Sequence, residues 1–273
     1  MPTGGRDLRI AIIGAGPAGI AAGHELLRQG CDNFTIFDEQ DAPGGTWRQH
    51  SYPGLACDVW AHSYTFSYAP NPDWSASFVG YEEIQRYLAD CVKRFGLDGQ
   101  LALNTRIDRA QYLPTGKWAL SSADESLGEF DAVISAMGNQ HTPLYPDVPG
   151  LNSFAGDSWH STEWNHDVEL TGKRVVVVGS AAAAVQVVPE VASKAGHLTV
   201  LQRSANWIMP RGRKFYSDAQ RKRFRRWPWL IGATRAVQRL LMGQVEHAVT
   251  LGHNRMGQFE KMVRKYIDST IED

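Results

Sequence analysis

Residues 8–19 read LRIAIIGAGPAG, a short apolar run followed at once by a loop of glycine and alanine. The run has the length of a buried strand, and apolar residues recur at helical spacing over residues 20–29. Gly14, Gly16 and Gly19 fill the G-x-G-x-x-G pattern, in which the glycines permit a tight turn, close approach of a pyrophosphate and close packing of helix on strand. This stretch predicts the opening of a dinucleotide-binding βαβ unit.

An acidic residue stands where the second strand of such a unit ends. Phe34–Phe37 reads as this strand, and Asp38 follows it, where a carboxylate can accept hydrogen bonds from both ribose hydroxyls. The helix that begins after the glycines would present free N–H groups to the phosphates. The residues predicted to contact the dinucleotide are therefore Gly14, Gly16, Pro17, Ala18, Gly19, Asp38 and Glu39.

The same pattern returns in weaker form farther along the chain. Arg174–Val178 reads as a strand, and Gly179 is followed by Ser180 and four alanines, so only the first glycine is kept. Arg203 follows Gly179 at the offset that separates Gly14 from Asp38. A guanidinium suits the 2'-phosphate of NADP, which an acid would repel, so NADPH is favoured over NADH. The predicted contacts are Gly179, Ser180, Ala181, Ala182, Arg203 and Ser204.

These two units predict an α/β fold with two Rossmann-like dinucleotide-binding domains, the second incomplete and followed by a helical segment. Proline and glycine are frequent between residues 143 and 172, which indicates a linker. The expected division is a first dinucleotide-binding domain at residues 1–142, a linker at 143–170, a second unit at 171–210 and a helical insertion at 211–273.

Three further elements are predicted within the first domain. Apolar side chains recur at helical spacing over Tyr81–Phe95, with Gly96 as the stop. Short segments separated by turn residues between Leu101 and Phe130 indicate an antiparallel meander. Ala132–Ser135 is expected to return to the parallel sheet.

Composition favours a small-molecule enzyme over other classes. The formal net charge is −1, so the overall balance does not indicate nucleic acid or an anionic membrane as a partner. The basic residues 221–226 beside two tryptophans are interpreted as a solvated helix face. Three widely spaced cysteines predict neither a disulfide framework nor a metal site, and no apolar run reaches the length of a membrane span. We therefore expect a cytoplasmic protein.

Two further stretches resemble one class of flavin-dependent monooxygenase, the Baeyer–Villiger type. The first is Gly44-Gly45-Thr46-Trp47, followed by Tyr52-Pro53-Gly54 and Asp58, which matches that family at every spacing. The second is formed by Phe154, Gly156, His160 and Trp164, which fill its F-x-G-x-x-x-H-x-x-x-W signature.

Smaller details bear on the subclass. N-oxidising relatives usually carry another aromatic residue at the last place of the signature, so Trp164 favours the Baeyer–Villiger group. Asn165 departs from the Pro or Asp that the family most often has after the tryptophan. Ala136-Met137-Gly138 resembles the Ala-Thr-Gly strand end that crosses between the two domains of such enzymes.

The resemblance implies FAD on the first unit, NADPH on the second, and insertion of one oxygen atom of O2 into a ketone through a C4a-peroxyflavin. It places Asp58 beside the flavin and gives His160 a necessary role in a moving linker without acid or base chemistry. These two residues are the candidate catalytic residues. The other cofactor contacts that it implies are Gly45, Thr46, Trp47, Tyr64 and Gly138.

Full-length relatives of this type continue well beyond residue 273. By resemblance, the remainder carries the rest of the NADPH sheet and an arginine that pairs with the acid matching Asp58, so we expect weak or absent oxygenation by this chain alone. Three alternatives remain open: oxygenation of a nitrogen or sulfur nucleophile, a noncatalytic nucleotide-binding fragment, and one subunit of a split enzyme with a complementary C-terminal chain. Disulfide reductases of the same fold are disfavoured because no Cys-x-x-Cys pair exists.

Overall fold

The computed structural model describes residues 8–204, 206, 211–251 and 255–270. The predicted domain limits at residues 1, 210 and 273 lie outside these ranges. In chain order, the elements are β1 (Ile10–Ile13), α1 (Pro17–Arg28), β2 (Phe34–Phe37), α2 (Thr46–Gln49), α3 (Tyr81–Phe95), β3 (Leu101–Ala102), β4 (Arg109–Tyr112), β5 (Trp118–Ser122), β6 (Glu125–Phe130), β7 (Ala132–Ser135), β8 (Arg174–Val178), α4 (Ala182–Ala192), β9 (His197–Leu201), α5 (Asp218–Arg226), α6 (Trp229–Leu251) and α7 (Arg255–Thr270). Single 3-10 turns occur at Asp98–Gln100, Leu151–Ser153 and Ser161–Glu163.

The chain forms two compact units. The first consists of Met1–Tyr52 with Tyr81–Glu169, and the second of Pro53–Gly80 with Leu170–Asp273. Residues 53–80, which were predicted to belong to the first dinucleotide-binding domain, thus pack with the second unit. The functional division at residues 142 and 170 stays a prediction.

A four-stranded parallel sheet of order β3-β2-β1-β7 forms the centre of the first unit. Ile10 of β1 pairs with Phe34 on one side and with Ala132 on the other. Ala11 and Ile12 have no exposed surface, which explains why this strand reads as a continuous apolar run. The predicted α/β fold is confirmed, and the carboxyl ends of β1, β2 and β7 share one edge.

Helix α1 approaches the sheet through glycines. A Cβ atom at Gly19 would lie 1.8 Å from the carbonyl oxygen of Gly14, and one at Gly23 would lie 2.9 Å from the Cδ1 atom of Ile36. The helix can therefore lie on β1 and β2 only because these positions lack side chains. This is the close helix-on-strand packing predicted for the third glycine of the pattern.

The meander predicted between Leu101 and Phe130 is present as the antiparallel sheet β4-β5-β6. Phe130 and Leu120 pack against Phe37 of the parallel sheet, and the rings of Phe37 and Phe130 meet edge to face at 5.8 Å. The prediction missed β3, whose two residues pair with the end of β2.

In the second unit, β8 and β9 pair in parallel and α4 connects them, as predicted. Residues 53–80 join the rest of this unit through an isolated bridge between Ala76 and Phe215, and a second bridge, Ala56 with Gly80, lies within the segment itself. The segment predicted to be helical from residue 211 onward contains α5, α6 and α7.

A histidine lies in the core of the second unit. His62 has no exposed surface, and its ring lies 5.4 Å from that of Tyr216 and 4.6 Å from that of Phe224. Among the described residues, neither ring nitrogen has a partner at hydrogen-bonding geometry. Burial, reinforced by the nearby charge of Arg235 and only weakly opposed by the backbone of Asn71, lowers the pKa of His62 to about 4. The folded second unit therefore holds this imidazole neutral.

Protonation of His62 should destabilise the fold in mild acid. Its pKa is 6.5 when free and about 4 when folded, so the folded chain binds fewer protons between these values. Stability is therefore fully present above pH 6.5 and falls as the pH drops towards 4, by about 3 kcal/mol for this group. Urea unfolding of the wild type and of His62→Phe at pH 7 and pH 4 measures this. The exposed His197→Phe is the control, and equal pH dependence in the wild type and in His62→Phe would show that His62 does not contribute.

Adding a methyl group where the start of α1 packs against the end of β1 should destabilise the first unit. Gly19→Ala places a methyl group on the Gly14 carbonyl oxygen, a backbone atom that cannot move aside cheaply, and we expect a loss of about 2 kcal/mol. Gly99→Ala is the control, because no described atom lies within 4 Å of its Cβ position, and it should change stability by less than about 0.5 kcal/mol. Chemical unfolding compares the two variants, and equal stabilities would contradict the packing argument.

Candidate functional site

The first glycine loop begins with a tight turn at the end of β1. Gly14 has φ +108°, and its amide donates to the carbonyl of Phe37 at 2.7 Å. A Cβ atom here would lie 2.5 Å from the carbonyl oxygen of Ala136, the residue that follows β7. Gly14 therefore has the predicted role of permitting the tight turn. Gly138 lies two residues farther on, exposed and also with positive φ.

A second pair of glycines lies against this loop. A Cβ atom at Gly45, which has φ +55°, would lie 2.9 Å from the Cα of Gly16, and the amide of Gly44 donates to the carbonyl of Ala15 at 3.0 Å. The structure thus brings the predicted residues Gly45, Thr46 and Trp47 next to the first loop, with Trp47 buried. The two backbones form a cradle without side chains.

Asp38 holds the loop from the other side. Its Oδ2 atom accepts the amide of Ala15 at 2.6 Å, and its Oδ1 atom accepts the amide of Gln40 at 2.9 Å. The side chain is almost fully buried, whereas Glu39 is exposed. A carboxylate has four acceptor positions, so Asp38 keeps capacity for ribose hydroxyls beside these two bonds.

The N-terminus of α1 can accept an anion. Gly16 is the N-cap, Pro17 and Ala18 form the start of the helix, and among the described residues no side chain caps the helix and no acid stands in its first turn. The partial positive charge of the helix N-terminus is therefore left for a ligand. A pyrophosphate fits this position because Gly16 and Gly45 have no Cβ atoms. A Cβ atom at either residue would occupy part of the cradle.

The second glycine loop repeats the backbone of the first. Gly179 has φ +116° and donates to the carbonyl of Leu201 at 2.8 Å. Ala181, the N-cap of α4, has φ −75° and ψ −174°, and Gly16 has the same two angles. Ala182 begins the helix, again without a side-chain cap or a first-turn acid among the described residues. The two loops therefore share the backbone conformation at the N-cap, where Ala181 adds a methyl group.

Arg203 does not occupy the position that corresponds to Asp38. The amide of Gly14 binds the last residue of β2, directly before Asp38, whereas the amide of Gly179 binds Leu201, so the counterpart of Asp38 is Gln202. The equal sequence offsets were misleading, because the path from helix start to strand is one residue shorter in the second unit. Arg203 instead corresponds to Glu39, and both side chains are exposed.

Sequence reasoning missed one residue at this site. The side-chain amide of Asn206 donates to the hydroxyl oxygen of Ser180 at 3.0 Å, and this hydroxyl lies near the carbonyl of Ser204. Ser180 and Ser204, both predicted cofactor contacts, are therefore close together. Asn206 stands outside the glycine pattern, and no sequence signal marked it.

The segment that contains His160 is tied to the residues that follow α2. Gln49 donates to the carbonyl of His141 at 2.8 Å, His50 donates to that of Gln140 at 3.2 Å, and Ser51 lies 2.8 Å from His166. Burial lowers the pKa of His50, the bond to Gln140 opposes this, and nearby His160 lowers the pKa further. Two residues just before the predicted linker, Gln140 and His141, and one residue within it, His166, thus lie against one short stretch of the first unit.

His160 is held in one tautomer. Its Nδ1 atom accepts the amide of Thr162 at 3.2 Å, so the ring proton resides on Nε2. Its own amide donates to the hydroxyl oxygen of Tyr145 at 3.1 Å. Trp164 packs edge to face on Trp159 at 5.5 Å. His160 and Trp164 of the signature therefore both make contacts within this loop.

Asp58 and Tyr64 belong to the second unit. Asp58 is exposed, and it follows Cys57, which is buried and donates its amide to Val79 at 3.0 Å. Burial raises the pKa of Cys57 to about 11, so this thiol is neutral and unsuited to nucleophilic chemistry. Tyr64 is half-buried. The residues predicted around the flavin are therefore divided between the two units.

The described ranges offer neither a metal site nor a membrane span. Within them, no group of three or more His, Cys, Asp and Glu side chains is arranged to hold a metal ion. In the same part of the chain, no helix combines the length and apolarity needed to cross a membrane.

Known proteins are similar to this chain in sequence. A Baeyer–Villiger monooxygenase of Streptomyces coelicolor is 37% identical over 270 residues, which is 97% of this chain and 51% of that protein. A Baeyer–Villiger monooxygenase of Pseudomonas aeruginosa is 37% identical over 278 residues, covering 100% of this chain and 52% of that protein. The chain thus spans about half the length of these relatives.

A solved structure gives the same result. The structure of OTEMO in complex with FAD and NADP superposes with a TM-score of 0.73 at 30% identity, covering 80% of this chain and 44% of that one. The sequence model of the flavin-binding monooxygenase-like family matches residues 7–225. The chain therefore belongs to the flavin-binding monooxygenase-like family.

Proposed function

We propose that this chain provides the FAD-binding and NADPH-binding units of a Baeyer–Villiger monooxygenase, which inserts one atom of O2 into a ketone. The observation that carries the proposal is the repeated loop, in which Gly16 and Ala181 have the same backbone angles at the starts of two helices. Two dinucleotides are what such an enzyme needs, and relatives of that name are 37% identical to this chain over the aligned residues.

FAD is assigned to the first unit. The cradle between Gly16 and Gly45 would hold the pyrophosphate at the N-terminus of α1, and Asp38 would accept the ribose hydroxyls. OTEMO was solved as a complex with FAD and NADP, which supports a flavin site in the shared fold. Gly138, at the same end of the sheet, completes the predicted contacts.

NADPH is assigned to the second unit. Arg203 and Ser204 are exposed just beyond the end of β9, where a guanidinium and a hydroxyl can bind a 2'-phosphate. Ser180 and Ala181 would face the pyrophosphate at the start of α4. Arg203 fills the place of Glu39 rather than that of Asp38, which leaves Gln202 for the ribose.

When bound and reduced by NADPH, FAD supplies the activation of O2. The chain's own residues would orient the cofactor and stabilise the charge near it. The exposed carboxylate of Asp58 would set the charge near the flavin, and the buried Trp47 would help to hold Gly45 next to the first loop. His160 uses Nδ1 to cap its own turn and keeps its proton on Nε2, so its proposed role is to place the linker.

Ketone oxygenation is preferred to oxygenation of amines or sulfides on two grounds. Trp164 ends the signature as in the Baeyer–Villiger group, and the relatives from Streptomyces and Pseudomonas carry that name. A panel of ketones, amines and sulfides separates the two activities. The proposal includes a cytoplasmic location, in keeping with Cys31, Cys57 and Cys91, none of which forms a disulfide within the part of the chain that the structure describes.

The cradle gives a selective test of FAD binding. Gly16→Ala should leave the fold intact, because Ala181 adopts the same backbone angles in the second unit and the nearest atom to the new methyl lies 3.4 Å away. In this unit the new methyl would face Gly45, so it should narrow the cradle between the two backbones and weaken FAD binding by about tenfold or more. Titration of FAD fluorescence measures the affinity, with Ala181→Gly as the control that should bind FAD as the wild type does. Unchanged affinity in Gly16→Ala would remove FAD from this loop.

The nicotinamide cofactor is tested by charge reversal. Arg203→Glu replaces a 2'-phosphate ligand with a repelling acid and should lower the preference for NADPH over NADH by about 30-fold. Arg174→Glu, an exposed residue at the amino end of β8, is the matched control and should leave the ratio unchanged. Both affinities can be measured by calorimetry. The same ratio in wild type and Arg203→Glu would contradict the proposed contact.

A further inference from the structure

The segment that ends at Asp58 is bound to α4 through one side chain. We call residues 53–58 the Asp58 loop. The amide of Ala56 donates to the Oε1 atom of Gln186 at 3.2 Å, and the Nε2 atom of Gln186 donates to the carbonyl of Ala56 at 2.9 Å. The carboxamide of Gln186 therefore pairs with both main-chain groups of Ala56, as a neighbouring strand would.

Gly54 makes a second contact with the same helix. It has φ +78°, and a Cβ atom at this position would lie 2.4 Å from the carbonyl oxygen of Gln186 and 3.1 Å from the Cγ atom of Glu190. The backbone of the Asp58 loop thus lies directly on the backbone of α4. Glycine is required here both by the left-handed conformation and by the lack of space.

The opposite side of the Asp58 loop is fixed as well. Ala56 forms an antiparallel bridge with Gly80, and the amide of Cys57 donates to the carbonyl of Val79. Cys57 is buried, and Asp58 follows it into solvent. The backbone that leads to Asp58 is therefore held by α4 on one side and by residues 79–80 on the other.

Helix α4 is also the helix whose N-terminus is proposed to receive NADPH. Gln186 lies five residues after the N-cap Ala181, which is about one and a half turns. A short helix moves as a rigid element, so a shift at its N-terminus is passed to Gln186. No other described side chain is seen to bind both main-chain groups of Ala56.

We infer that Gln186 is a positioning residue that couples occupancy of the nucleotide site on α4 to the Asp58 loop. The inference rests on the proposed function, which places NADPH on α4 and Asp58 beside the flavin. It assigns Gln186 a role in aligning the NADPH site with Asp58. This residue touches neither cofactor in the proposal.

The test is hydrogen–deuterium exchange of residues 53–61 in the whole chain, with and without saturating NADP+. In the wild type, NADP+ should slow exchange here by about threefold or more. Gln186→Met keeps the side-chain length but removes both hydrogen bonds, and should bind NADP+ within about threefold of the wild type while showing no slowing. Gln186→Glu keeps only the acceptor for Ala56 and should slow exchange by less than the wild type. If Gln186→Met fails to fold, Gln186→Glu provides the comparison with the wild type.

A control and a spectrum separate coupling from folding. Gln111→Met changes an exposed residue of β4 and should behave as the wild type. With FAD bound, NADP+ should alter the visible flavin spectrum of the wild type and of Gln111→Met, and should no longer do so in Gln186→Met. A purely structural role would lower the melting temperature without removing this response.

Two results would overturn the inference. One is the same slowing by NADP+ in Gln186→Met as in the wild type, and the other is tight NADP+ binding to the wild type without slowing at residues 53–61. In both results NADP+ still binds to the chain. Absence of NADP+ binding to the wild type would instead refute the proposed function, and the coupling with it.

Discussion

The first unit depends on how closely α1 approaches β1. A Cβ atom at Gly19 would lie 1.8 Å from the carbonyl oxygen of Gly14, the residue after β1, and 3.5 Å from the Cγ2 atom of Ile12 in β1, so the helix begins directly against the end of the strand. This contact places the helix N-terminus above the carboxyl edge of the sheet, where Gly16 meets Gly45 and the Asp38 carboxylate binds the amide of Ala15. The space for a phosphate, the orientation of the helix dipole and the position of the acid all follow from that one approach.

The second unit reaches a similar geometry with weaker constraints. Alanine replaces glycine at the N-cap without changing the backbone angles, and a Cβ atom at Gly179 would meet no described atom within 4 Å. Its helix is instead packed against residues from elsewhere in the chain, Gly54 and Ala56, which contact Gln186. The first loop is therefore shaped by its own unit's sheet, whereas the second unit includes the segment that carries Asp58.

The local parts of this arrangement could be predicted from the sequence. The bounds of β2, β7, β8 and α3 match the predicted ones, because apolar runs and glycine or proline breaks are encoded in neighbouring residues. Other features depend on distant residues or on small length differences. The shift of Arg203 by one position arises from a connection one residue shorter, and the bonds between Ala56 and Gln186 join residues 130 positions apart. The two residues of β3 were too few to show a period, and nothing near His62 marked it as buried.

The proposed function requires that one chain binds two different dinucleotides on two separate loops. Native mass spectrometry of the chain with FAD and NADP+, added singly and together, measures this stoichiometry. We expect a complex of one chain, one FAD and one NADP+, with each nucleotide binding whether or not the other is present. Saturation at a single nucleotide, with FAD and NADP+ displacing each other, would contradict the assignment of two sites.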